Sequence, residues 1–72
     1  MAKFCERLRE LRMERGLKQR EMAEQFGLAV NSYQCYEYAT RYPEFPGLIA
    51  IADFFDVSLD YLVGRSDIRE RR

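Results

Sequence analysis

The sequence predicts an all-α domain of five short helices, and three observations lead there. Apolar residues recur at intervals of three and four along most of the chain, glycines stand where those runs stop, and no stretch alternates as a strand would. At 72 residues the chain has the length of one domain built on one core. Hydrophobic residues make up 47% and charged residues 33% of it, with four glycines and two prolines, the composition of an ordered chain.

Phe4, Leu8 and Leu11 fall at steps of four and three with arginines and glutamates between them, which predicts an amphipathic helix over residues 3 to 15. Gly16 ends it, because glycine takes the left-handed conformation at least cost. Residues 19 to 26 form the second helix, with Met22, Ala23 and Phe26 inward, and Gly27 ends that one. The third runs from about Val30 to Tyr38 and buries Tyr33 and Tyr36. The stretch ATRYPEFPG is then a loop, since Pro43 and Pro46 can only precede a helix or occupy its first turn. Leu48, Ile51, Ala52 and Phe55 mark a fourth helix ending near Asp56. Ser58 is placed to cap a fifth, SLDYLV, with Asp60 at the positive end of its dipole and Gly64 closing it. Residues 1 to 66 are therefore expected to form the domain, and 67 to 72 a charged, mobile tail.

Several function classes drop out. Histidine is absent, Cys5 and Cys35 lie far apart, and there is no glycine-rich phosphate loop, so neither a metal site nor an enzyme is expected, and no cofactor. No apolar run approaches the ~18 residues of a membrane span and the charged start MAKFCERLRE does not read as a signal peptide, so a cytoplasmic protein is expected. So small a core is expected to leave no room for a small-molecule pocket. Formal charge is zero, but its distribution is uneven: residues 1 to 20 hold seven basic and three acidic groups, 21 to 60 one and seven, and 61 to 72 four and two. The basic residues of helix 1, interleaved with Glu6, Glu10 and Glu14, read as a solvated, self-paired face.

Two short helices that cross steeply need a small residue on the first and a glycine at the turn, with a large apolar residue filling the angle from the second. Ala23, Gly27 and Tyr33 meet these needs, with Tyr36 one turn on. Together with ERLRELRMERGLKQREMAEQFGL, the pair Tyr36 and Glu37, and IADFFDVSLDYLVG, this constellation resembles the lambda-repressor-like (Cro/CI, XRE-type) helix-turn-helix family from Phe4 to about Asp67. The resemblance implies five helices with helices 2 and 3 as the helix-turn-helix, and a homodimeric, sequence-specific transcriptional regulator of double-stranded DNA.

Carried over by position, Gln19 matches a phosphate clamp, and Val30, Asn31 and Cys35 match base-reading positions, with Ser32 and Gln34 beside them. Thr40 and Arg41 match contacts to the DNA backbone, and Lys18 and Arg20 add positive charge nearby. Asn31 can pair bidentately with adenine, whereas Val30 can only meet an apolar group such as a thymine methyl. Arg12 and Glu37 match a buried ion pair and are assigned, like Ala23, Gly27, Tyr33 and Tyr36, to the scaffold. Three residues depart from the family pattern. Lys18 and Ala29 replace common N-caps, each at ~1 kcal/mol, and Ala39 replaces the left-handed glycine after helix 3, so that helix is expected to run on or end differently. Phe45, Phe54, Val57 and Leu59 are the candidates for a dimer surface. The other reading is a protein-interaction module on the same fold, antitoxin-like or regulatory, with little DNA binding.

Overall fold

A computed structural model describes residues 3–71, so Met1, Ala2 and Arg72, the outermost residues of the expected domain and tail, lie outside it. Five helices follow in order: α1 (Phe4–Glu14), α2 (Gln19–Gln25), α3 (Val30–Glu37), α4 (Phe45–Phe55) and α5 (Leu59–Leu62). Among the described residues there is no strand, and no helix is long and apolar enough to cross a membrane. Helix α4 starts three residues before the first periodic apolar residue, Leu48, because Pro46 sits in its first turn where no amide hydrogen is required.

Each helix ends against a residue with positive φ: Gly16, Gly27, Ala39, Asp56 and Gly64. The backbone amide just past that residue then turns back to a free carbonyl of the last turn, as in Leu17 to Arg12, Leu28 to Ala23 and Thr40 to Cys35. Helix α3 therefore does not run on. Ala39 takes φ 62° and ends it as a glycine would, correcting the expectation from its side chain. At Gly27 an added Cβ would meet nothing within 4 Å, so the turn requires its φ of 66° and not a close approach of backbones. Three of the helix starts are capped, in two ways, while Ala29 of α3 and Glu44 of α4 make no side-chain cap bond. Ser58 Oγ accepts from the Tyr61 amide at 3.0 Å, whereas Lys18 and Lys3 lack a capping oxygen, and Glu21 and Glu6 reach back to accept from their backbone amides at 2.8 and 2.9 Å.

The core gathers one stripe from each helix. Leu8, Met22, Tyr33 and Leu62 are fully enclosed, with Phe4, Leu11, Ala23, Ile51, Ala52, Phe55, Val57 and Tyr61 around them. Tyr36 is only half-buried and meets Tyr33 edge to face, with ring centroids 6.4 Å apart. Helix α2 packs chiefly against α3, α1 against α3 and α5, and α4 against α5.

The face of α1 that reads as self-paired is not. Arg7 is buried, its guanidinium 3.8 Å from the Tyr61 ring centroid, and it donates to the carbonyls of Tyr61 and Ser66 and to Asp67 Oδ1 at 2.7 Å. Phe4, Arg7, Leu8 and Leu11 fall at i, i+3, i+4 and i+7, so the helical period itself places Arg7 on the inner face. Residues 67–71, where a mobile tail was expected, lie against the body of the domain: Arg69 pairs with Glu14 and donates to the Tyr61 hydroxyl, and Arg71 pairs with Asp53.

Candidate nucleic-acid interface

The surface of interest is built on the turn between α2 and α3. Ala23, 1% exposed, and Gly27 let the two helices meet, and Tyr33 fills the angle between them with no exposure at all. That packing leaves one side of α3 outward. Val30, Asn31, Thr40 and Arg41 are exposed, while Ser32, Gln34 and Cys35 are half-buried along the same helix. Lys18 and Arg20 are exposed at the start of α2. Lys18 and Arg41 make no ion pair among the described residues, and Arg20 has only a loose contact of 4.0 Å with Glu24.

Beneath this face lies a buried carboxylate. Glu37, 2% exposed, receives Arg12 Nε at 2.6 Å and Nη2 at 3.2 Å, the Tyr33 hydroxyl, and Gln19 Nε2 at 3.1 Å. Arg12 Nη1 donates in addition to the Leu17 carbonyl at 2.9 Å, so one guanidinium joins α1, the α1–α2 turn and the end of α3. Burial alone would raise the Glu37 carboxyl. The bonds from Arg12, Tyr33 and Gln19 outweigh burial and hold it below its ordinary 4.5. Burial and the bond to Glu37 push the Tyr33 phenol well above its ordinary 10.0.

Two expected surface residues prove to belong partly to this network. Gln19 bonds Glu37 with its amide nitrogen, and its oxygen accepts from Gln34 Nε2 at 3.0 Å. No spacing rule connects positions 19 and 34, so nothing in the sequence marks that bond. Thr40 is also engaged: its amide donates to the Cys35 carbonyl at 3.1 Å and its hydroxyl to the same oxygen at 3.4 Å. The second bond is long and weak enough to be exchanged for another acceptor.

The candidates for a dimer surface separate. Val57 is 3% exposed and belongs to the core, and Phe54 is held edge to face between Phe26 and Phe55. Leu59 is half-buried against the core. Phe45, 64% exposed, stands free with Ile49 one turn on and Tyr42 before it. Between the end of α3 and the start of α4 runs an open groove of about 430 Å³ over Tyr33, Tyr36 and Ile51. Pro43, Glu44, Pro46 and Gly47 line its other side.

Comparison with known proteins gives this geometry a relationship. A family model described as a helix-turn-helix domain matches residues 5–68. The uncharacterised HTH-type transcriptional regulator YobD of Bacillus subtilis is 39% identical over 64 residues, which is 89% of this chain and 57% of that protein. The cryptic phage CTXphi transcriptional repressor RstR of Vibrio cholerae is 36% identical over 64 residues, 89% of this chain and 58% of the repressor. The crystal structure of a transcriptional regulator from Listeria innocua superposes with a TM-score of 0.82 at 34% identity, over 86% of this chain and 58% of that one. The chain thus spans about half the length of the curated relatives it matches. With five helices in this order, a helix-turn-helix at α2 and α3 and matches along nearly its whole length, the chain belongs to the lambda-repressor-like (Cro/CI, XRE-type) helix-turn-helix family.

Proposed function

We propose that this domain is the DNA-binding part of a cytoplasmic transcriptional regulator, a repressor, that acts as a homodimer. Helix α3 of each protomer enters a major groove, the two half-sites lying about one helical turn apart. The observation that carries the reading is the outward, uncharged face of α3, flanked by Lys18 and Arg41 with no ion pair among the described residues to satisfy either. The name of RstR as a transcriptional repressor supports the sign of regulation.

Within that reading Asn31 pairs with a base edge, adenine by preference, and Val30, Ser32 and Cys35 complete the contact surface. Gln19, Lys18, Arg20, Thr40 and Arg41 hold phosphates, and Gln34 lies between the two sets. Phe45 and Ile49 carry the dimer contact. The neutral net charge makes this a reader of modest electrostatics. Three cations per protomer, Lys18, Arg20 and Arg41, predict that log affinity falls by roughly 3 per log unit of salt for each protomer.

Selection from a random DNA pool, followed by anisotropy titrations over a salt series, tests the reading. Asn31→Ala should relax preference at one base pair by about 1–3 kcal/mol, while Gln19→Ala weakens every sequence alike. If no selected sequence binds better than bulk DNA, the operator model fails and the protein-interaction reading takes its place.

A further inference from the structure

Gln34 sits on the reading helix, yet one N–H of its amide is committed to Gln19 within the protein, and the reason can be followed outward from Glu37. An ionised carboxylate only accepts, and it offers about four lone-pair sites. Here Arg12 Nε and Nη2, the Tyr33 hydroxyl and Gln19 Nε2 occupy its two oxygens. Since Glu37 cannot donate, Gln19 must present its NH₂ group to it. The Gln19 oxygen is thereby turned toward α3, where it needs a donor, and Gln34 Nε2 supplies one at 3.0 Å. Reversing either amide would set two acceptors against each other. The polarity of the chain Arg12, Glu37, Gln19, Gln34 is therefore fixed from its buried end, and Gln19 keeps one N–H uncommitted.

We propose that Gln34 is a positioning residue that acts through Gln19, holding in one rotamer the amide that Glu37 has already oriented, so that its single free N–H donates to a DNA phosphate. The proposal rests on the DNA-binding reading above. Its physical effect is preorganisation: a glutamine side chain at the surface has many rotamers, and ordering them before binding removes that cost from the complex. Gln34 is consequently a contributor to affinity for all sequences, and base preference lies with Asn31 and its neighbours.

The test uses the whole chain and Gln34→Met, which keeps the length and apolar stem of the side chain but cannot donate. In the free protein, the side-chain NH₂ resonances of Gln19 should stand apart from those of exposed Gln25, with one proton protected from exchange. In Gln34→Met they should move toward the Gln25 values with little change in melting temperature. On selected DNA and its single-base variants, Gln34→Met should weaken all of them by about three- to tenfold. The double variant with Gln19→Ala should bind no more weakly than Gln19→Ala alone.

Unchanged Gln19 resonances in Gln34→Met, a change in preference at one base pair, or losses that multiply in the double variant would each overturn the role of Gln34 while leaving DNA binding intact. Failure to select any sequence would overturn the DNA-binding reading, and this role with it.

Discussion

Ala39 is the residue at which local cost and global fold disagree most openly. Its φ of 62° lies where an L side chain loses roughly 1–2 kcal/mol, and the Thr40 amide bond to Cys35 holds it there. Ala39→Gly should raise stability by about 0.5–1 kcal/mol, the relief of strain less the extra freedom glycine gains in the unfolded chain. Gly27→Ala is the converse. With nothing within 4 Å of the new Cβ, its loss of about 1 kcal/mol is conformational alone. Urea denaturation of both variants checks the pair, and an Ala39→Gly protein no more stable than the parent would show that the strain is not there. Arg7 teaches something different at the same scale. Its inward position is legible from the helical period, but arginine is so seldom buried that composition argues against it. Its partners Tyr61, Ser66 and Asp67 lie 54 to 60 positions away, beyond any local rule.

Between elements, the Glu37 carboxylate decides how α1, α2 and α3 sit. The helices themselves were readable from periodicity and from glycine at their ends, and the Arg12 and Glu37 pair from the family resemblance. The continuation of that pair through Gln19 to Gln34 was not, because it depends on which atoms of two amides face each other. A pH series exposes the network. Glu37 lies below 4.5 when folded, so its contribution is complete above that value and is lost as pH falls through the folded pKa. Tyr33 lies above 10.0 when folded, so its contribution is complete below 10.0 and is lost as pH rises beyond it. Thermal melts should therefore show a plateau between about pH 5 and 10 with a fall on either side. Tyr33→Phe removes the alkaline fall that this phenol causes. It also takes one donor from Glu37, so the acid fall should begin at higher pH. An acid limb that stays in place in that variant would mean that the hydroxyl contributes nothing to holding Glu37 ionised. Removing one partner outright, as in Arg12→Ala, leaves a buried charge and should cost about 3–5 kcal/mol, close to the whole stability of a domain this size, visible as loss of the cooperative melt.

Across the whole molecule, the zero net charge is a sum of basic ends and an acidic middle, and in the fold the C-terminal end pairs both with the middle and with the N-terminal end. Asp53 and Asp56 of that middle face Arg71, Glu14 of α1 faces Arg69, and buried Arg7 faces Asp67. Two backbone-anchored bonds add to these: the Ser58 amide donates to the Arg69 carbonyl at 2.8 Å, and Ser58 Oγ to the Ile68 carbonyl at 3.1 Å. The segment after Ser66 thus fastens α1, α4 and α5 together, which composition alone, being polar and charged, reads as a tail. The pairs of Arg69 and Arg71 lie at the surface, so they contribute little and screen away. The bonds at Ser58 do not screen so readily, whereas the Arg7 pair has an Asp67 carboxylate that is almost wholly exposed and screens like the others. Ending the chain after Ser66 should therefore cost about 1–3 kcal/mol. Arg69→Ala and Arg71→Ala should each lower the urea midpoint less than the truncation does and lose most of that effect in about 1 M salt. Urea titrations at low and high salt separate the two contributions: a loss on truncation that persists in high salt belongs to the Ser58 bonds. A shortened chain as stable as the whole one would return residues 67–71 to the status of a solvated tail.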